Sequence, residues 1–516
     1  MKQTAYNIFN PLNSVCFLLL FLIFKSNAQG GFKKKYFASN GFAATARNVI
    51  ECPDKSLIII GLNKDTVNNF IIDRLTLIGT DKDGNKLWEK KYGNNYFSYI
   101  NDGLRAAIYK EDNYFYHALS SRDTTDNGVL IKFDYNGDTL WQKTYRKDSI
   151  DNVYLCGLTK SVDNGFFLTG VSINNVPGMG QPCLLIKTDC NGNELWRKKI
   201  VKPSPNVQEG RSIIQDSASK KIIITGYQYP GGPNASGNMM ILDSVGNLIV
   251  RKSFNNGGGG LSEITQLRDK NFITSGSYRA YGDGNYSKYQ KYVVKFDISG
   301  SIIWQKLYDI ISQYTGIGAV HELASEDLIM LGALDTNQQH LLPYVLKVQI
   351  FRTDKNGNVK WQKYIGSAVD YNSCEYAQSL NLTQDGGFVI ATWFPWHAAP
   401  APYSIIKIDS TGCDTLASYC KSLEVGLAKQ HGFSVAFELF PNPASSSVFI
   451  RTNTTGTEPL TAVLLDISGR TLQEFPFFEG NRLLEFDTTP LSPGVYFVSL
   501  RAGSVTIGSK KLLVER

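Results

Sequence analysis

Residues 129–145 read VLIKFDYNGDTLWQKTY, and the pattern they carry returns along the whole chain. Val129, Ile131 and Phe133 alternate with Leu130 and Lys132, which is the period-two pattern of a strand. Asp134 can accept backbone N–H bonds in a tight turn, and Gly137 can take the positive φ that such a turn needs. The chain then reverses into Leu140–Tyr145, which carries Trp141. The segment reads as a hairpin.

The same cassette of Asp, two residues, Gly and a Trp slot four residues later occurs seven times. The copies start at Asp81, Asp134, Asp189, Asp243, Asp297, Asp354 and Asp409, and successive glycines lie 53 to 57 residues apart. Trp88, Trp141, Trp196, Trp304 and Trp361 fill the slot; Val250 and Leu416 stand there in the other copies. Upstream of each hairpin lies a second apolar run ending in a small residue, such as 165–170 (GFFLTG) and 221–226 (KIIITG). Upstream again is a weaker run, such as 103–109. Four strands per repeat at this steady period predict the blades of a β-propeller.

Two residues after the Trp slot stands Lys90, Lys143, Lys198, Lys252, Lys306 or Lys363. Such a ring of lysines can meet an anionic partner or protect outer strand edges. Edge protection is the preferred reading, because an outer rim does not converge on one ligand. Phe32, Lys34 and Tyr36 repeat the aromatic–Lys–aromatic spacing, and Phe32 lies 56 residues before Trp88. This orphan fourth strand is expected to complete the last blade and close the ring.

The chain has 516 residues, a formal charge of +7 and eight cysteines. Residues 15–24 are ten consecutive apolar residues, preceded by Lys2 and followed by Ser26, Asn27 and Ala28, which reads as a signal peptide (1–28) cleaved between Ala28 and Gln29. No other segment approaches a transmembrane helix. No Lys/Arg cluster with interleaved aromatics suggests a nucleic-acid partner. The seven cysteines beyond residue 28 include no CxxC pair, and the five histidines lie far apart, so neither a disulfide framework nor a metal site is signalled. The Asp81–Gly84 turn has part of a calcium-loop pattern, but its other copies lose ligands and turn chemistry accounts for all of them. No cofactor and no metal is expected.

The composition changes after about residue 430. Residues 437–516 contain two lysines, Lys510 and Lys511, and neither Trp nor Cys. Short strand patterns separated by turn signals predict a small β-sandwich there. The stretch Phe440-Pro441-Asn442-Pro443-Ala444 resembles the opening of the type A C-terminal sorting domain of the type IX (Por) secretion system. Asp466-Ile467-Ser468-Gly469-Arg470, the run 491–498 (LSPGVYFV) and 510–514 (KKLLV) resemble its later motifs in the same order. The resemblance implies export by the signal peptide and then passage of the outer membrane, to a secreted or cell-surface location. Family members are often clipped, and many are tethered to surface lipopolysaccharide. Pro441, Asn442, Pro443, Gly469, Gly494, Tyr496, Lys510 and Lys511 are the expected recognition elements, with Lys510 and Lys511 forming a compact positive site. The blade repeats also resemble Trp-docking repeats of quinoprotein-like propellers, in packing only.

No nucleophile elbow, HExxH, P-loop or paired-carboxylate signature occurs. The segments joining second to third strands are aromatic: Tyr278, Tyr281, Tyr286 and Tyr289 in one, Trp393 and Trp396 in another. Such residues can stack on sugar rings or anchor a protein partner.

The expected architecture is all-β. A seven-bladed β-propeller (29–420, with 29–37 as closing strand) leads through a linker (421–436) to the sorting sandwich (437–516). The expected role is a secreted or surface-anchored binding module without catalysis of its own, with the secretion machinery and an unknown glycan or protein as partners. A secreted hydrolase acting on glycans and a structural surface-layer component are the alternatives. Two or more acidic side chains within one deep channel would favour the hydrolase.

Overall fold

The computed structural model describes residues 31–37, 44–67, 70–93, 98–100, 107–122, 126–146, 151–174, 181–201, 207–229, 236–254, 259–282, 287–312, 316–335, 346–365, 375–394, 401–412, 437–452, 460–466, 470–477, 483–502 and 505–515. The expected signal peptide, with Ala28 and Gln29, lies outside them. The chain divides into two compact units, Met1–Lys421 and Ser422–Arg516. Among the described residues every regular element is a strand, and no helix is long and apolar enough to cross a membrane.

The first unit contains seven antiparallel sheets among its described residues. Each is a meander whose strands follow one another from the inside outward, as in Asp151–Lys160, Phe166–Asn174, Cys183–Thr188 and Glu194–Ile200. In the second sheet the inner place is shared by Ser98–Ile100 and Ala107–Lys110, both paired to Tyr114–Arg122. The seventh sheet takes its outermost strand from the start of the chain. Phe32–Tyr36 runs antiparallel to Tyr403–Ile408, with Phe32 opposite Lys407 and Tyr36 opposite Tyr403.

Adjacent sheets touch in series, and Tyr376–Leu382 of the seventh lies against Ala44–Glu51 of the first, so the series closes into the wheel of a β-propeller. The core lies between neighbouring sheets. Phe32, Tyr36, Val389, Tyr403 and Ile405 of the seventh pack with Ala44, Val49, Leu57, Ile59 and Ile78 of the first. Burying one such aliphatic or aromatic side chain is worth about 1.5–3 kcal/mol, so the seams between sheets carry much of the stability.

The repeated cassette explains itself in this packing. The Trp of one sheet lies on the turn glycine of the next. A Cβ added at Gly137 would stand 2.8 Å from the Trp88 ring, and at Gly192 2.8 Å from Trp141. Gly137 also has φ +81°, a conformation that costs an L side chain energy. The tyrosine four residues after the Trp donates to the same turn: Tyr145 to the Gly192 carbonyl and Tyr308 to that of Gly357, each at 2.8 Å. The lysine between them reaches across too, Lys198 to Asn247 at 2.6 Å and Lys306 to Asn358 at 2.7 Å. Tyr36 donates to the Gly84 carbonyl at 2.7 Å, so the first strand makes the same latch. The lysines therefore bind sheet to sheet. In each turn the aspartate caps the backbone, as Asp189 Oδ1 does for the N–H groups of Asn191 (2.9 Å) and Asn193 (2.8 Å).

The second unit is a sandwich of a three-stranded sheet (Phe437–Phe440, Ser447–Thr452, Leu483–Asp487) on a four-stranded one (Thr471–Pro476, Leu460–Leu465, Gly494–Ala502, Val505–Val514). Phe437, Val448, Ile450, Leu464, Val498 and Leu512 form its core. Asn442 joins the two ends of the unit, donating to the Lys511 carbonyl at 2.8 Å and accepting from the Leu513 N–H at 2.9 Å.

Candidate functional site

The inner strands surround a cavity of about 730 Å³ to which every sheet contributes: Ile50, Ile108, Leu158, Ile213, Ile264, Gly318 and Leu380 come from the seven sheets in turn. This cavity is the channel of the wheel, and its two ends differ.

At the far end of the inner strands, side chains tie each sheet to the next. Lys110 donates to the Glu51 carbonyl and Lys160 to the Glu111 carboxylate. Gln215 accepts from the Val162 N–H at 2.9 Å, and Gln266 donates to Asp216 at 2.7 Å. Arg268 donates its N–H to Glu322 at 2.8 Å, and His321 Nε2–H donates to the Leu380 carbonyl at 2.8 Å. Gln384 closes the ring, its N–H on Glu51 at 2.7 Å and its amide on the Cys52 carbonyl at 2.9 Å. All seven junctions are thereby laced. Burial raises the Glu51 carboxyl above its ordinary value, opposed first by the Gln384 N–H.

Near the start of the inner strands the pairing slips instead. The register shifts at Ala46/Asn48, Leu155/Gly157, Gly210/Ser212, Leu261/Ile264, Ile317/Ala319 and Ala377/Ser379. A bulge of this kind frees one residue from the ladder and re-aims its side chain. The freed residues include Arg47, Cys156, Arg211, Glu263 and Gln378, which share one level of the wheel. Arg47 donates to the Gln378 side chain at 3.1 Å and lies 5.4 Å from the Trp393 ring. The Arg211 guanidinium sits 4.5 Å from the Tyr227 ring, and its Nε donates to Glu209 at 3.3 Å. Glu209 also accepts from the Cys156 thiol at 3.6 Å. Glu263 lines the channel with its carboxylate 4.0 Å from His321 Nε2. Beside Arg47, burial pushes the Asp73 carboxyl above its ordinary value, opposed by Lys64, Arg47 and Arg122.

The aromatic residues singled out from the sequence are placed differently. Tyr278 belongs to the strand Phe272–Gly282, packs 6.1 Å from the Tyr292 ring and borders a second cavity of about 590 Å³ among Phe254, Gln305 and Lys306. Tyr281 lies on the same strand, and half-buried Tyr289 on Ser287–Phe296. Trp393 ends the strand Phe388–Trp393 and stands under Arg47, 5.4 Å from its guanidinium. Tyr286 and Trp396 lie outside the described residues. Trp393 is linked to the channel-lining Gln378 through Arg47. None of Cys52, Cys156, Cys183 and Cys190 is in a disulfide among the described residues; Cys374, Cys413 and Cys420 lie outside them.

In the sorting unit, Pro441 and Pro443 flank Asn442 where it meets the last strand. Gly494 begins a strand, and Tyr496 OH donates to the Ser492 carbonyl at 2.9 Å. Lys510 and Lys511 are exposed, but consecutive residues of a strand face opposite sides; the Lys510 ammonium lies 5.8 Å from the Phe437 ring. Gly469 lies outside the described residues.

Residues 438–515 match the family described as Secretion system C-terminal sorting domain. The protein is accordingly secreted or carried on the cell surface. No curated protein matches the chain. Among solved structures it is similar to a protein of unknown function from Dyadobacter fermentans DSM 18053, at 10% identity and TM-score 0.39 over 74% of this chain and 100% of that one. An α-L-arabinofuranosidase from Fusarium graminearum is similar at 9% identity and TM-score 0.42, over 74% and 98%. An α-L-arabinanase from Penicillium chrysogenum is similar at 9% and 0.38, over 74% and 98%. The expectation of a chain without catalysis is corrected here: its solved likenesses include glycan-cleaving enzymes, and the exclusion of enzyme activity is withdrawn.

Proposed function

We propose that the protein is exported by the type IX secretion machinery and hydrolyses glycans at the bulged end of its channel. The observation that carries this reading is the placing of two carboxylates at the bulges, Glu263 on the channel wall and Glu209 bonded to the channel-lining Arg211. Glycoside hydrolysis needs two carboxyl groups, one to give a proton to the leaving oxygen and one to activate water or attack the sugar. These groups can come from separate strands, which is how Glu209 and Glu263 are supplied. Glu263 has the His321 ring beside it, its carboxylate 4.0 Å from Nε2. Glu209 is oriented by Arg211 and Cys156. Trp393 offers an apolar face at the same end for a sugar ring.

The test is release of reducing ends from a panel of plant and bacterial polysaccharides by the full secreted chain. Glu263→Gln and Glu209→Gln should each lower kcat by about a hundredfold or more. Unchanged rates in both variants would remove these residues from the chemistry. For the export route, a chain lacking residues 437–516 should accumulate in the periplasm, and its arrival outside the cell would reject the route.

A further inference from the structure

We infer that Arg211 is the specificity residue of this site and that the glycan it selects carries carboxylates, as uronic acids do. The inference rests on the glycan reading above and narrows it.

Arg211 is the residue freed by the bulge between Gly210 and Ser212, so it leaves the ladder and lines the channel. Its guanidinium is fixed at two points. The Tyr227 ring lies 4.5 Å from Cζ, and Nε is held on Glu209. Glu209 takes only Nε, at 3.3 Å. Nη1 and Nη2 have no protein partner among the described residues. The side chain keeps 27% of its surface open, so the free end can be reached. Gly260 passes beside it without a side chain; a Cβ there would lie 3.4 Å from Nη1.

A guanidinium stacked on an aromatic ring and held through Nε presents its two terminal amino groups as a rigid fork. That fork matches the two oxygens of a carboxylate, and little side-chain entropy remains to be lost on binding. Arg47, freed at the equivalent bulge of the first sheet, differs: its Nη1 is engaged on Gln378. The equivalent position of the third sheet carries Cys156, whose thiol turns to Glu209. Among the described residues the open fork of Arg211 therefore gives a place to one carboxylate.

The experiment uses oligogalacturonates and alginate oligosaccharides, each as the free acid and as the methyl ester, with neutral arabino-oligosaccharides alongside. The full chain should bind or cleave the acid with a KM or Kd about tenfold lower than the ester. Arg211→Ala should bring that ratio to about one while the thermal midpoint holds, and Arg211→Lys should restore only part of it. A preference that survives in Arg211→Ala, or equal use of acid and ester by the native chain, would overturn the inference and leave the glycan reading intact. Use of the neutral sugars alone would do the same. No binding or cleavage of any sugar would overturn both.

Discussion

The two ends of the channel are built from the inner strands of the same seven sheets and are finished in opposite ways. At one end the last residues of each strand bond to the neighbouring sheet, and all seven junctions are tied. At the other, bulges turn charged and polar side chains out of the ladder, and Arg211 keeps an open guanidinium. Hydrogen bonds within a protein stabilise it modestly, but a buried group stripped of its partner costs about 1–3 kcal/mol. The laced end is thus where stability resides. The bulged end trades ladder bonds for side chains that can meet something else.

The widest separation between the ends is expected in turnover. Glu263 and Gln266 lie on one strand, Leu261–Gln266, the first in its bulge and the second in the lacing to Asp216. Glu263→Gln should cost about a hundredfold or more in kcat, while Gln266→Leu leaves it within about twofold, read as reducing ends released per enzyme. Equal losses would erase the division. Stability should run the other way. Gln266→Leu strands the Asp216 oxygen, so urea unfolding should show a loss of about 1–3 kcal/mol. Glu263→Gln should stay within about 0.5 kcal/mol.

Between the ends, His117 lies behind the inner strand Ala107–Lys110 with Nδ1 3.3 Å from the Ala107 carbonyl. Burial pushes its pKa down to about 4. The folded protein then refuses a proton that the unfolded chain accepts below its ordinary value of 6.5. Stability should fall as the pH drops from 6.5 toward 4, by up to about 1.4 kcal/mol per pH unit. Denaturant midpoints across that window measure it, and the slope should be shallower in His117→Gln. The smallest effect concerns Asp73 at the bulged end. Its pKa is raised in the fold, so folding favours its protonated form: that stabilisation is complete below the ordinary value of 3.8 and is lost as pH rises through the folded pKa. Asp73→Asn should lift the melting temperature at pH 7 by about 1–2 °C, and the gain should vanish below pH 3.8. A gain that persists in acid would remove burial of the charge as its cause.

The wheel was legible because its determinants are local. Asp189, Gly192 and Trp196 lie within eight residues, and each marks a turn, a close approach or a contact with the next sheet. Phe32–Tyr36 could be placed by spacing alone, since its aromatic–Lys–aromatic pattern is the one the latches use. The site was not legible in the same way. Arg47, Glu209, Arg211, Glu263 and His321 are five residues spread over four inner strands, the weakest runs of each repeat, and no two of these strands are neighbours in sequence. A faint signal existed. In Gly210-Arg211-Ser212 and Ala377-Gln378-Ser379 a long polar side chain sits between small residues where an alternating strand would keep its rhythm. The aromatic segments stand out by composition, yet Tyr278 packs on Tyr292, and Trp393 reaches Arg47, which bonds to the channel-lining Gln378. The adjacency of Lys510 and Lys511 suggests one patch, but a strand turns neighbours to opposite sides.

The outermost strand of the seventh sheet is made from the first described residues of the chain and pairs with Tyr403–Lys407. A polypeptide that has not yet delivered residue 407 has an idle strand at its head and an unprotected edge at its tail. Ring closure must therefore wait for nearly the whole wheel to arrive in one compartment. A chain crossing a membrane from its amino end cannot lock prematurely, and maturation becomes a single late event.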